Sequence, residues 1–121
     1  MNSDELRRGI ALFNRSEFFE AHEVLEDVWR AAPADQKKHF QGLVQTAVAF
    51  HHFSTGNRIG MRSVLERAMR NLDGCAAEFH GIHIALLKKS VAQWLLAFDA
   101  GQPLPLPRIE VVLEPDMRQR T

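Results

Sequence analysis

The spacing of apolar residues predicts five amphipathic helices along the chain. Hydrophobic side chains recur every three or four residues, as at Leu6, Ile10 and Phe13, and this spacing places them on one face of a helix. Residues that favour helix ends divide the pattern into separate segments. The predicted helices cover residues 3–15, 16–31, 35–55, 57–73 and 82–100.

Individual residues predict how these helices begin and end. Ser16 and Asn57 are expected to cap the second and fourth helices, because their side-chain oxygens can accept hydrogen bonds from free backbone N–H groups. Gly56 is expected to adopt the left-handed conformation that often follows a last helical turn. Residues 75–81 are predicted to be a connector.

The segment that follows the last helix has a different character. Proline occupies alternate positions over residues 103–107, which excludes a helix there. An extended strap that packs on the bundle through Leu104 and Leu106 is favoured over a free recognition peptide. The predicted fold class is therefore all-α, a compact antiparallel bundle of about five helices with an extended Pro-rich C-terminal strap.

Length and composition predict one soluble domain. The chain has 121 residues, of which 45% are hydrophobic and 25% charged, a composition typical of globular proteins. A chain of this length normally forms a single core. We expect one helical domain over residues 1–121, with its core at about 4–107 and a frayed end at 114–121.

The charge pattern argues against two classes of partner. Fifteen basic side chains balance fifteen acidic ones, whereas nucleic-acid-binding proteins normally carry a basic excess. Residues 39–57 lack charged side chains but contain too many polar ones to span a membrane. We therefore predict no nucleic-acid partner and no membrane partner. A lone Cys75 and an N-terminus without a secretory pattern indicate a cytoplasmic location.

The second helix carries an ionisable pair at the margin of its apolar face. His22 and Glu26 are four residues apart, so their side chains can meet, and Trp29 lies on the same stripe. A buried or half-buried pair of this kind has to be hydrogen-bonded or coordinated. Either the pair joins helices as a structural contact, or both side chains bind a metal or a substrate.

The third helix has a polar stripe that could face this pair. Gln41, Gln45 and His52 lie along one edge of the helix, whereas His51 points into the apolar face and is expected to be a core histidine. If the second and third helices pack antiparallel, the two polar edges converge.

This convergence would form a metal site. His22, Glu26 and His52 would supply two nitrogen ligands and one oxygen ligand, a set that suits a divalent transition metal such as Zn, Mn or Fe. Gln41 and Gln45 would orient the bound groups as ligand-binding residues.

Three motifs follow one another in this region. H-x3-E-x2-W begins at His22, Q-G-L-x-Q begins at Gln41 and H-x3-G-N begins at His52. This series resembles domain-of-unknown-function family 309, small bacterial and archaeal helical proteins whose hallmark is H-x3-E-x2-W. The resemblance covers residues 4–107.

The resemblance implies a compact α-helical protein and suggests that the motif binds metal. The histidine, glutamate and tryptophan of the family motif correspond to His22, Glu26 and Trp29. His51 stands where the family pattern leads us to expect an aromatic or aliphatic residue, so either His51 or His52 could face the site. The family has no known activity, and the resemblance therefore predicts the fold and the site but no reaction.

Two functions remain open at this point. In the first, a metal-dependent hydrolase, the bound ion activates water, Glu26 or Glu23 transfers the proton, and Trp29 contacts an unidentified small-molecule ligand. In the second, a non-catalytic binding or assembly module, the same His, Glu and Gln side chains form a structural hydrogen-bond network. Such a module could be a homodimer.

Overall fold

A computed structural model describes residues 3–112, and α-helices make up most of the fold. The helices are α1 (Ser3–Asn14), α2 (Phe18–Ala31), α3 (Lys37–Ser54), α4 (Arg58–Leu72) and α5 (Ile84–Asp99), with a 3₁₀ turn (Ala34–Gln36) before α3. The strands of this part of the chain are β1 (Glu78–Phe79) and β2 (Ile82–His83). The prediction of an all-α class with five helices is confirmed.

Contacts within the chain divide it into two compact units, residues 1–74 and 75–121. The first unit contains α1 to α4, and the second contains the two strands and α5. The single domain over 1–121 stays a prediction, and the predicted fraying of 114–121 lies outside the described residues. No helix within residues 3–112 is long and apolar enough to cross a membrane.

In the first unit, each helix packs against the next one along the chain. The short connections make neighbouring helices antiparallel. Phe13, Phe18 and Phe50 join α1, α2 and α3, with ring centroids 5.2 Å apart for Phe13 and Phe18 and 5.9 Å apart for Phe18 and Phe50. All three rings are buried, and burial of each contributes roughly 1.5–3 kcal/mol to folding.

Helices α3 and α4 approach each other closely at Gly42. A Cβ atom at this position would lie 2.8 Å from Leu72 Cγ, which is too close for any residue other than glycine without a shift. On the next turn, the buried hydroxyl of Thr46 donates a 2.8 Å hydrogen bond to the Gly42 carbonyl. The close packing of these helices brings polar side chains of α3 within reach of α4.

The turn between α1 and α2 differs from the prediction. Ser16 has a φ of +64°, its N–H donates to Phe13 O at 2.9 Å, and the Glu17 N–H donates to Leu12 O at 2.9 Å. These two bonds form the left-handed motif that ends a helix, so Ser16 belongs to the end of α1. The prediction that Ser16 caps α2 is wrong, and Glu17 holds the cap position without a side-chain hydrogen bond.

The turn between α3 and α4 is as predicted. Gly56 has a φ of +85°. Asn57 precedes α4, and its side-chain Oδ1 accepts a 2.8 Å hydrogen bond from the Gly60 N–H. The predictions for Gly56 and Asn57 are confirmed because the chemistry of both helix ends is local to the turn.

The second unit begins with a β-hairpin. Strand β1 and the turn lie in the predicted connector, whereas β2 takes the first two residues of the predicted fifth helix, and α5 starts at Ile84. His80 and Gly81 both have positive φ angles, +51° and +79°, as in the tight turns that favour hairpins. The His83 N–H donates to Glu110 O at 2.9 Å, and the Val112 N–H donates to Gly81 O at 2.7 Å. Strands of two residues are too short to produce a periodic pattern in the sequence.

The Pro-containing segment of the second unit is extended rather than helical. Leu104 and Leu106 line a groove of about 370 Å³ together with Leu86 and Trp94 of α5. Leu104 remains 47% exposed. Within this unit, the segment therefore runs beside α5 and covers it only in part.

Candidate functional site

The motif histidine of α2 bonds to its own helix. In the tautomer that carries the proton on Nδ1, His22 donates a 3.1 Å hydrogen bond to the Phe19 carbonyl. The rings of the two residues lie 5.4 Å apart between centroids. This arrangement fixes the orientation of the imidazole and leaves its Nε2 lone pair unused by that bond.

The predicted acidic residues of α2 lie at the surface. Glu26 is 37% exposed and forms an ion pair with Arg30 at 3.3 Å. The same guanidinium pairs with Asp27 at 2.8 Å. Glu23 is exposed and lines a groove between α1 and α2. The structure thus places Glu26 in a surface ion-pair cluster, a type of contact that contributes little to stability.

Trp29 is held by the residue that begins α3. Lys37 Nζ lies 5.1 Å from the centroid of the indole ring, and it donates a 2.7 Å hydrogen bond to Trp29 O. The indole Nε1 is buried and has no hydrogen-bond acceptor within residues 3–112. A buried N–H without an acceptor costs roughly 1–3 kcal/mol, so this atom is a candidate donor to a bound polar group.

The two glutamines of α3 have different surroundings. Gln45 Oε1 accepts a 2.7 Å hydrogen bond from Asn71 Nδ2 of α4, in a partly buried position. The Asn71 carbonyl in turn accepts a 3.2 Å hydrogen bond from His39 Nδ1. Gln41 is exposed. Gln45 therefore contacts α4, whereas the sequence predicted that it would face α2.

The adjacent histidines at the end of α3 point in different directions. The His51 ring lies 5.5 Å from the Phe19 ring of α2. His52 Nδ1 accepts a hydrogen bond of 3.3 Å from Asn57 Nδ2, next to the start of α4. Of the two histidines, His51 is the one in contact with the aromatic residue that also contacts His22.

The structure does not bring the three predicted metal ligands into one group. His22 bonds to a carbonyl of α2, Glu26 to Arg30, and His52 to Asn57. Within residues 3–112, no three His, Cys, Asp or Glu side chains are placed so that they could hold a metal ion. The side chains as they stand therefore do not fit the donor set that the sequence predicted.

The free cysteine lies in the second unit. Burial raises the pKa of the Cys75 thiol, and the nearby Lys88 ammonium lowers it by a smaller amount. A thiol with a raised pKa is protonated at neutral pH and is a poor nucleophile.

Sequence reasoning missed three residues that organise this region. Asn71 and Lys37 form the hydrogen bonds that join helices, and Phe19 lies between His22 and His51. The half-exposed Phe19 lies off the apolar face of α2. An aromatic residue in such a position is the one signal in the sequence that could have indicated these contacts. Asn71 and Lys37 lie on ordinary polar positions of their helices, where periodicity carries no information about partners.

The first unit also contains the region that matches a known family. Residues 6–64 match the family model described as Domain of unknown function (DUF309). The predicted resemblance to this family is confirmed over these residues. Every predicted site residue, from His22 to His52, lies inside the matched range. The predicted extent of the resemblance, 4–107, is longer than the DUF309 match.

Two relatives of the chain are themselves uncharacterized proteins. One, from Aquifex aeolicus (strain VF5), is 30% identical over 92 residues, which are 75% of this chain and 28% of the relative. The other, YpuF of Bacillus subtilis (strain 168), is 33% identical over 57 residues, which are 46% of this chain and 33% of the relative. The segment similar to this chain thus amounts to a third or less of each relative.

Proposed function

We propose that the first unit of this chain, which contains α1 to α4, is a non-catalytic binding or assembly module in which polar side chains hold α3 and α4 in register. The observation that carries this proposal is the partly buried hydrogen bond of 2.7 Å from Asn71 Nδ2 to Gln45 Oε1. An amide pair of this kind favours one relative position of two helices, because a shift breaks a hydrogen bond that is partly shielded from water.

A second contact supports the same role at the other end of the two helices. His52 near the end of α3 accepts a hydrogen bond from Asn57, which also caps α4. Helices α3 and α4 are thus linked by polar contacts at the α3–α4 turn and again near the end of α4. Two separated contacts restrict sliding of one helix along the other.

The lengths of the two relatives are compatible with a module that forms part of a longer protein. In both, the segment similar to this chain makes up a third or less of a longer protein. A self-contained helical unit of this size is suited to being joined to other segments.

Paired glutamine variants test the structural role. Gln45→Ala is expected to lower the free energy of unfolding by about 1–3 kcal/mol, because Asn71 loses its acceptor in a partly buried position. Gln41→Ala, one turn away on an exposed position, is the matched control and should change it by less than about 0.5 kcal/mol. Thermal melts are recorded with EDTA and again with added Zn²⁺ or Mn²⁺.

The proposal expects the same Gln45→Ala loss in both solutions. An unchanged melting temperature for Gln45→Ala would contradict it. So would a loss that is found only when metal is present, because the glutamine would then act through a bound ion.

A metal-dependent hydrolase with an unidentified small-molecule substrate is the alternative. It is supported by the H-x3-E-x2-W resemblance and by the Nε2 lone pair of His22, since the other ring nitrogen donates to a carbonyl as in many metal-binding histidines. Glu26 would have to leave Arg30, and His52 would have to leave Asn57, before either could share an ion with His22. Glu26 and Glu23 are the residues that would move protons in such an enzyme.

Metal uptake distinguishes the two functions. Isothermal titration of wild type and His22→Ala with Zn²⁺, Mn²⁺ and Fe²⁺ measures binding directly. Stoichiometric binding that is lost in His22→Ala would favour the metal-dependent alternative. No binding by wild type, or equal binding by both proteins, would contradict it.

A further inference from the structure

The outer surface of α1 and α2 forms an open groove of about 580 Å³ that the proposed function does not use. Its α1 wall carries Arg8 and Leu12, and its α2 wall carries Glu20, Glu23 and Val24. The two walls therefore present opposite charges on either side of the groove.

The charges of this groove divide into satisfied and unsatisfied groups. Arg30, also in the groove, is neutralised by its ion pairs with Glu26 and Asp27. Arg8, Glu20 and Glu23 are exposed. None of these three makes an ion pair or side-chain hydrogen bond within residues 3–112, so each is available to an external partner.

The walls of the groove are held at a fixed spacing. A Cβ atom at Gly9 of α1 would lie 2.8 Å from Leu25 Cδ2 of α2, so the absence of a side chain lets the two helices touch directly behind the groove. A groove with close-packed walls presents its charges in a defined geometry, which favours a rigid, complementary partner.

We propose that this groove is the interface with a second copy of the same chain. A two-fold axis through the groove exchanges its walls, which places Arg8 of each copy opposite Glu20 and Glu23 of the other. A two-fold interface has to be self-complementary, and a cationic wall beside an anionic wall meets that condition for charge.

This inference goes beyond the proposed function, because it names a partner and uses residues distinct from Gln45 and Asn71. It also gives Glu23 a role in recognition rather than in proton transfer. Failure of one proposal leaves the other intact, since the Gln45 test measures stability and metal dependence whereas the groove determines oligomeric state.

Charge reversal across the groove tests the proposal in the full chain. Sedimentation equilibrium of wild type should reveal a dimer whose affinity falls with added salt. Arg8→Glu alone, and Glu20→Arg with Glu23→Arg, should each weaken dimerisation by at least about tenfold. An equimolar mixture of these two proteins should restore the dimer as a heterodimer, because the reversed walls are complementary. Arg7→Glu, an exposed neighbour outside the groove lining, is the matched control and should dimerise like wild type.

Three results would each overturn the proposal. The first is a wild-type protein that stays monomeric up to submillimolar concentration. The second is a dimer that both reversal variants retain, and the third is a mixture that fails to re-form it. Circular dichroism checks that the variants are folded, and Arg8→Gln with Glu20→Gln and Glu23→Gln replaces the reversals if they are not.

Discussion

Lys37 Nζ lies 5.1 Å from the centroid of the Trp29 ring and donates hydrogen bonds to two carbonyls at the end of α2, Trp29 O at 2.7 Å and Arg30 O at 2.9 Å. Carbonyl groups at the end of a helix lack partners within the helix. A lysine from the start of the next helix therefore caps α2 and connects it to α3.

Lys37→Met tests this cap. It removes the hydrogen bonds and the contact of the ammonium with the ring while keeping the aliphatic stem, and it should lower the free energy of unfolding by about 1–2 kcal/mol. Lys38→Met, at the exposed neighbouring position, should change it by less than about 0.5 kcal/mol. Equal effects of the two variants in urea denaturation would contradict the capping role.

Trp29→Phe tests whether the indole N–H has an acceptor. The substitution removes a buried donor that has no acceptor within residues 3–112. The free-energy cost of burying that donor is then absent, which offsets the packing lost with part of the ring. The net cost should be less than about 1 kcal/mol, whereas Trp29→Ala, which also removes the surface under Lys37, should cost clearly more. A Trp29→Phe cost equal to that of Trp29→Ala would indicate that Nε1 is hydrogen-bonded in solution.

Ser16→Gly is expected to stabilise the protein. Ser16 has a φ of +64°, and glycine adopts this conformation without the steric cost of a side chain, so a gain of about 0.5 kcal/mol is expected. Gly56→Ser, at the equivalent turn with a φ of +85°, should have the opposite sign. If Ser16 instead capped α2, its replacement by glycine would destabilise by a few tenths of a kcal/mol, and the sign of the change in thermal melts decides.

Cys75 should react slowly with thiol reagents. Because burial raises the pKa of its thiol, the reactive thiolate is a smaller fraction of the native protein at pH 8 than of the unfolded chain. Its reaction with Ellman's reagent should be slower in buffer than in guanidinium chloride, and the native rate should keep rising with pH above 9. Equal reaction rates in the two solutions would contradict the raised pKa of the Cys75 thiol.

Much of the helical framework could be predicted because the signals are local. Apolar spacing marks α1 to α5, and glycine and asparagine at the α3–α4 turn specify that turn by their own chemistry. The turn at Ser16 could not be predicted in this way. A serine in a left-handed conformation is uncommon, and here the requirement to end α1 and begin α2 two residues later overrides its preference for capping.

Of the candidate site, too, only some features could be predicted from the sequence. The sequence by itself placed His22, Glu26 and Trp29 on one side of α2, and it placed Gln45 and His52 on one edge of α3. Only the tertiary structure decided that Gln45 contacts Asn71 and that His51, rather than His52, lies beside Phe19. The physical reason is that helical periodicity determines the direction in which a side chain projects from the axis of its own helix. It carries no information about the rotation and offset of the neighbouring helix, which depend on close contacts such as that of Gly42 with Leu72.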